Sequence, residues 1–423
     1  MIWKPTGWRI RLPVDRLAVD LLLYGLSAAF AAITAVSSTL APHRAWGAIA
    51  AAGYVVAALA AAAQLVGRRF NPDARWTGPP GRWVVLAFTA ATTVVVPLAQ
   101  QAMQRAAGRS DRAQEEVVVV EHAAARLLDV GMPYLSRDEI AALPAGEQLL
   151  GYVPYQPGMV LFGLPRALAG AGWWTDARVW FALVTAVALA LAVRMLRPAP
   201  GEVVLRAVQV AAVFPVCALT LATGGDDLPV LALCLLALTL CAKGRYGRAG
   251  LAVGSAAALK LFAAPVLAVL LVHAVTRGRR AAGRLAAGAI VLPTAALVPA
   301  LLIDAAALVE NVVRFPAGEG LVASPARSPL PGYLIASALP AGRQIATAVL
   351  GAAALTIAVG LVRRPPRTAA MAALAGGYGL LGAILLMPST RFGYLLYPVA
   401  ILAWSPALRS ATAPTGVPTV PST

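Results

Sequence analysis

Residues 105–157 read RAAGRSDRAQEEVVVVEHAAARLLDVGMPYLSRDEIAALPAGEQLLGYVPYQP. This is the one long polar stretch in the chain, and it carries eight of the 18 acidic residues. On either side the sequence is a series of apolar runs with few or no charges. Several, of about 18 to 25 residues, are long enough, at about 1.5 Å per residue, to cross roughly 30 Å of hydrocarbon. Polar sequence set between such runs belongs at a membrane face, where water-phase chemistry is open to it.

Composition fixes the class. Of 423 residues 60% are hydrophobic and 13% charged, and the mean hydropathy is +0.75, which excludes an ordinary soluble domain. The expected fold is all-α: a polytopic bundle of about 10–13 membrane helices, short re-entrant ones included, with an amphipathic juxtamembrane helix in a large outer loop. The net charge of +17 sits mainly in short loops between apolar runs, where Lys and Arg set orientation, so membrane lipids rather than nucleic acid are the expected surroundings. Cys217, Cys234 and Cys241 lie in apolar runs without metal-type spacing and read as buried free thiols.

In chain order, spans are expected at 17–41, 46–66 and 83–104, with Arg68, Arg69, Arg75 and Arg82 in a basic loop. That loop and the N-terminus belong inside, so 105–176 faces outward. Asp111-x-x-Gln114 has capping-box spacing, and Gly131 with Pro133 ends the pattern, predicting a helix over 112–129. Residues 154–170, broken by Pro157 and Pro165, suit a re-entrant or surface segment. Later spans fall at 177–196, 203–222, 228–242, 285–303, 343–362, 368–387 and 393–407. The stretch 249–275 has basic loops at both ends and so reads as two short helices meeting near Lys260.

Several residues at the outer face stand out. Asp111 reads as a helix cap and Glu115 as a solvated first-turn carboxylate. Glu116 shares a side with Val119, Val120, Ala123 and Leu127, where a carboxylate needs a reason to be buried. Asp226 and Asp227 follow a Gly-Gly turn; one can cap the next span, and the pair also suits a divalent cation, although no His or third carboxylate is near in sequence. Lys260 in an apolar run and Arg391 at a span's start are cations placed to hold a lipid phosphate.

The order of these pieces resembles a known superfamily. Gln114-Glu-Glu-Val117, Leu127-Leu-x-x-Gly131-x-Pro133-Tyr134 and Tyr152-x-Pro154-Tyr155-x-Pro157 resemble the GT-C integral membrane glycosyltransferases. Thr223-Gly-Gly-Asp-Asp-Leu-Pro229, Ala258-Leu-Lys260, Asn311-Val-Val-Arg-Phe-Pro316, Ser328-Pro-Leu-Pro-Gly332 and Arg391-Phe-Gly-Tyr394 are similar to actinobacterial members near glycosyltransferase family 87.

The resemblance implies transfer of a sugar from a polyprenyl-phosphate donor to a hydroxyl of a lipid or glycan acceptor, at the outer face of a bacterial plasma membrane and with inversion. The sugar would be mannose or another hexose or pentose. The family's early acidic base maps onto Glu116, with Glu115 and Asp111 as alternatives. Its phosphate contacts map onto Lys260, Arg391 and Arg314, and Asp226, Asp227 and Tyr155 fall to sugar or acceptor. The matched core is 83–407 with its outer loop 105–176. It is preceded by an N-terminal basic segment and two extra spans in 1–82, and followed by a disordered cytoplasmic tail, 408–423. The alternative reading is a transporter or flippase of a lipid-linked glycan. That reading calls for polar groups at mid-membrane in broken, repeat-related helices rather than charges gathered at one face.

Overall fold

The computed structural model describes residues 15–197 and 199–412; Lys4, Arg9, Arg11 and residues 413–423 lie outside the described residues, while 408–412, expected as the start of a disordered tail, complete the last helix, where Leu408 is buried. Helices dominate, and no strand occurs among the described residues. Seven helices are long and apolar enough to cross a membrane, or eight when one bent pair counts as a single span.

The chain opens with an antiparallel hairpin, α1 (Arg16–Ser37) and α2 (Ala41–Phe70). Asp15 accepts from the Leu17 N–H and caps α1. Next comes α3 (Pro79–Ala106), which carries a π turn at Ala91–Val95. Polar contacts tie the hairpin to the later helices. Trp46 Nε1 donates to the Thr93 carbonyl at 2.8 Å, and the Tyr54 hydroxyl to the Val213 carbonyl at 2.6 Å. Both carbonyls lie in π turns, where regular pairing is interrupted. Asp20 of α1 is buried between Arg82 and Arg206.

The polar stretch folds as α4 (Glu115–Val130) and short turns. Here the structure corrects the expected start at 112. Gln114 takes the N-cap position, its N–H donating to the Thr223 carbonyl at 3.1 Å and its side chain accepting from the Thr223 hydroxyl at 2.8 Å. This tether keeps Ala113 and Gln114 extended after a 3-10 turn at Ser110–Arg112, so Asp111 does not cap α4. Gly131, with φ of +76°, closes the helix as expected. The valine run stays helical because Val117, Val119 and Val120 are buried, and packing overrides β propensity. The helix lies against 157–169 and the next span, with Glu115, His122 and Asp129 on its exposed side.

Residues 154–170 do not cross. They form a 3-10 turn, Pro157–Phe162, and a short helix, Leu164–Ala169, and the Gln156 N–H donates to the Leu259 carbonyl at 3.1 Å. The bundle continues through α5 (Ala177–Leu196), α6 (Gly201–Val213) and α7 (Pro215–Thr223), the last two bent by 44° just before Pro215. After α8 (Asp227–Ala242), the stretch expected as a broken hairpin is one: α9 (Tyr246–Leu259) and α10 (Ala264–Thr276), with Lys260 extended between them. The remaining helices are α11 (Arg279–Val309), α12 (Pro331–Ala338), α13 (Gly342–Arg363), α14 (Ala369–Leu386) and α15 (Leu396–Thr412).

Helix contacts rest on small residues. A Cβ on Gly250 would lie 2.1 Å from the Leu285 carbonyl oxygen and one on Gly254 2.8 Å from that of Ala289, so α9 and α11 meet backbone to backbone.

Candidate active site

Three interruptions of helix meet at one end of the bundle. They are the Gly224-Gly225 turn before α8, the break at Lys260, and the 3-10 turn Phe392–Leu395 before α15. A helix end frees side chains from the regular face pattern, so residues far apart in sequence point into one place.

Lys260 Nζ donates to Asp226 Oδ2 at 2.8 Å and Asp227 Oδ1 at 2.5 Å. All three residues are buried, Lys260 at 7% exposure. The Tyr397 hydroxyl donates to the same Asp227 oxygen at 2.7 Å. Aromatic rings surround the ammonium, their centroids at 5.3 Å for Tyr155, 5.4 Å for Tyr394 and 5.8 Å for Phe262, close enough for cation–π attraction. Asp226 occupies the N-cap position expected for one of the pair, but its side chain bonds Lys260 rather than the helix.

Beside this group, Glu116 forms an ion pair with Arg391. Burial works against charge on Arg391, yet Glu116 holds the guanidinium protonated, its pKa raised. Burial pushes up the Tyr155 phenol, as do the charges of Asp226 and Glu116. Tyr155 therefore lies in electrostatic range of both charge groups.

Among the three candidate bases, only Glu116 is bonded into this site, with Glu115 in electrostatic range of Glu116 and Arg391. Glu115 is exposed on the same turn. Asp111, also exposed, is bound by Arg109 at 3.0 Å and Arg112 at 3.1 Å. Arg314 does not join either. It is largely exposed and its carboxylate neighbour is Glu310, 3.7 Å away. Glu310 in turn takes Arg137 at 2.8 Å and the Tyr152 hydroxyl at 2.9 Å, a clamp between the 137–152 segment and the end of α11.

Two features escaped sequence reasoning. The first is a buried network in which Arg105 and Arg166 bind Glu121, and Arg105 and Arg178 bind Asp176. It fastens α3, α4 and α5 together beneath the site. The second is His43, in the first turn of α2, whose side chain contacts Gln114 with Glu116 and Arg391 in electrostatic range. Among the described residues no three His, Cys, Asp or Glu side chains gather to hold a metal ion.

The arrangement offers a carboxylate and a guanidinium facing one another, beside a second, net-negative cluster of two carboxylates around one ammonium. The family model described as glycosyltransferase family 87 matches residues 152–389, more than half of the chain. This chain belongs to glycosyltransferase family 87. The family 87 segment holds Tyr155, Asp226, Asp227 and Lys260, while Glu116, Arg391 and His43 flank it. Among solved structures, the crystal structure of ArnT from Cupriavidus metallidurans bound to undecaprenyl phosphate is similar at 16% identity and a TM-score of 0.48. That similarity covers 78% of this chain, which spans 60% of the length of the ArnT chain. No curated protein matches this family 87 chain.

Proposed function

We propose that this family 87 protein transfers a sugar from a polyprenyl-phosphate donor to a hydroxyl of a glycan or glycolipid acceptor at the outer face of the plasma membrane. The observation that carries this reading is the Glu116–Arg391 pair, held beside Tyr155 and the Lys260–Asp226–Asp227 cluster. Glycosyl transfer from a phosphate needs a base to take the acceptor proton and a fixed cation to receive negative charge on the leaving phosphate. Glu116 supplies the first and Arg391 the second. In an inverting transfer the acceptor oxygen attacks the anomeric carbon from the face away from the phosphate, so the donor must part the Glu116–Arg391 pair, the guanidinium turning to the phosphate and the carboxylate to the acceptor hydroxyl.

Lys260 changes role in this reading. Its charge is already met by two buried carboxylates, and a phosphate placed there would face a net negative group. Lys260 therefore fixes Asp226 and Asp227, whose remaining acceptor capacity suits sugar hydroxyls. The outward orientation is supported by the arginines and lysine of the opposite end, such as Arg68, Arg245, Arg280 and Arg364.

The test is transfer of radiolabelled sugar from polyprenyl-phosphate donors by purified protein, comparing wild type with Glu116→Gln and Glu115→Gln. Loss of about 10²–10⁴-fold in the first alone is expected. Equal activity in all three sinks the assignment of the base.

A further inference from the structure

A cavity of about 340 Å³ lies beside the loop that carries Arg391. Its walls include Arg327, Arg343, Ser324, Ser337, Ser389 and Tyr333. Three segments build it: the 318–330 loop, α12 with the start of α13, and residues 388–389. The first and third are stitched together. The Ser328 N–H donates to the Thr390 carbonyl at 2.9 Å, the Thr390 N–H to the Ala326 carbonyl at 3.0 Å, and the Phe392 N–H to Ser328 Oγ at 2.9 Å. The cavity is thus rigidly joined to the turn that positions Arg391.

Its two guanidinium groups are anchored but not neutralised. Arg327 Nε donates to the Ser324 carbonyl at 3.1 Å and Arg343 Nη1 to the Ala317 carbonyl. Each keeps further N–H groups for a ligand, and among the described residues neither pairs with a carboxylate. That sets them apart from Arg105, Arg137, Arg178 and Arg391 at the same end, each of which does. It also sets this cavity apart from one of about 360 Å³ at the opposite end, where Arg16 and Arg68 pair with the lining residues Glu202 and Asp15. The wall is shaped to keep Arg343 in place. Gly318 has φ of +83°, and a Cβ there would fall on the Arg343 guanidinium.

We infer that this cavity is the acceptor subsite for a phosphate group, the two guanidinium groups taking the oxyanion while the serine hydroxyls and Tyr333 meet an attached sugar. The inference rests on the transferase reading above, since the cavity wall at Pro388 and Ser389 belongs to the loop that carries Arg391, the partner of Glu116. Planar guanidinium groups match phosphate bidentately, and two of them around one cavity select an anionic phosphate, monoester or diester, over a neutral group. The phosphate has two sources with the same chemistry, a phosphorylated glycan or the head of an anionic lipid.

The experiment measures binding, not transfer, so it is independent of whether the transferase reading holds. Full-length Arg391→Gln protein in discs of neutral lipid, lacking the proposed donor-phosphate contact, is titrated with mannose 6-phosphate and with methyl mannoside. In a second arm, discs containing phosphatidylglycerol are analysed for lipid retained on the protein. Adding Arg327→Gln and Arg343→Gln should weaken sugar phosphate binding at least about tenfold, which indicates a glycan source, or strip the retained anionic lipid, which indicates a headgroup source. Gly318→Ala, which displaces Arg343 without removing charge, should act in the same direction. Binding and retention unchanged by all three substitutions, or methyl mannoside bound as tightly as the phosphate, overturns the inference.

Discussion

Glu116 and Arg391, separated by 275 positions in the chain, form an ion pair at the end of the bundle where three helix interruptions meet. Pairing of opposite charges between a helix's first turn and a distant loop is open to two explanations, and kinetics separates them. If the pair acts in transfer, Glu116→Gln and Arg391→Gln each lower kcat/KM by about 10²–10⁴-fold. The double variant then loses less than the product of the two, because residues acting on one transition state are not additive. If the pair is only a tether, the double variant recovers activity because neither charge is left without its partner. Transfer assays on all four proteins settle the matter.

Lys260 is the counter-ion on which Asp226 and Asp227 rely. Replacing it with Met leaves two adjacent carboxylates buried without a cation, a change that costs about 3–5 kcal/mol where one partner of a buried pair is removed. Lys260→Met should therefore lower the thermal unfolding midpoint in detergent sharply. The triple variant with Asp226→Asn and Asp227→Asn should recover a large part of the loss while remaining inactive. A Lys260→Met protein as stable as wild type would mean that the ammonium does not carry this cluster.

Much of this was legible in the sequence, for physical reasons that differ by element. The break at Lys260 could be read because a charge in an apolar run flanked by basic loops on both sides fits a hairpin and not a single crossing. Glu116 could be singled out because its helical face was otherwise apolar. The partners could not be read. That Arg391 meets Glu116, or that Lys260 meets both aspartates, depends on how distant helix ends converge. The start of α4 was misplaced because the tether between Gln114 and Thr223 is tertiary, and it outweighs the local signal of Asp111. His43 gave no signal at all, being one histidine at the start of an apolar span.

Asp176 should make the protein sensitive to acid. Burial raises its pKa, but hydrogen bonds and charge from Arg178, together with Arg105, outweigh this and hold it at about 2, against an ordinary 3.8. A folded pKa below the unfolded one contributes stability that is complete above about pH 4 and fades as pH falls toward 2, worth about 2 kcal/mol in all. Asp176→Asn should be less stable at pH 7 and should lose less on acidification than wild type. Melting curves at pH 7 and pH 3 measure both, and parallel losses in the two proteins would contradict the assignment.

The contact between α9 and α11 is expected to set where Lys260 sits, because α9 ends at Leu259, the residue before it. At Gly250 a side chain would meet the Leu285 carbonyl oxygen at 2.1 Å, which is backbone and cannot rotate away. Any larger residue must push the helices apart, and overpacking of this kind costs about 1–3 kcal/mol. Gly250→Leu should thus lower the melting midpoint and also reduce transfer among the molecules that remain folded, as the end of α9 shifts with its helix. Gly247→Ala, on the same helix but with its nearest neighbour, the Arg284 carbonyl, at 3.9 Å, should do neither. If Gly250→Leu lowers stability yet leaves the turnover of the folded fraction unchanged, the register of α9 does not set the position of Lys260.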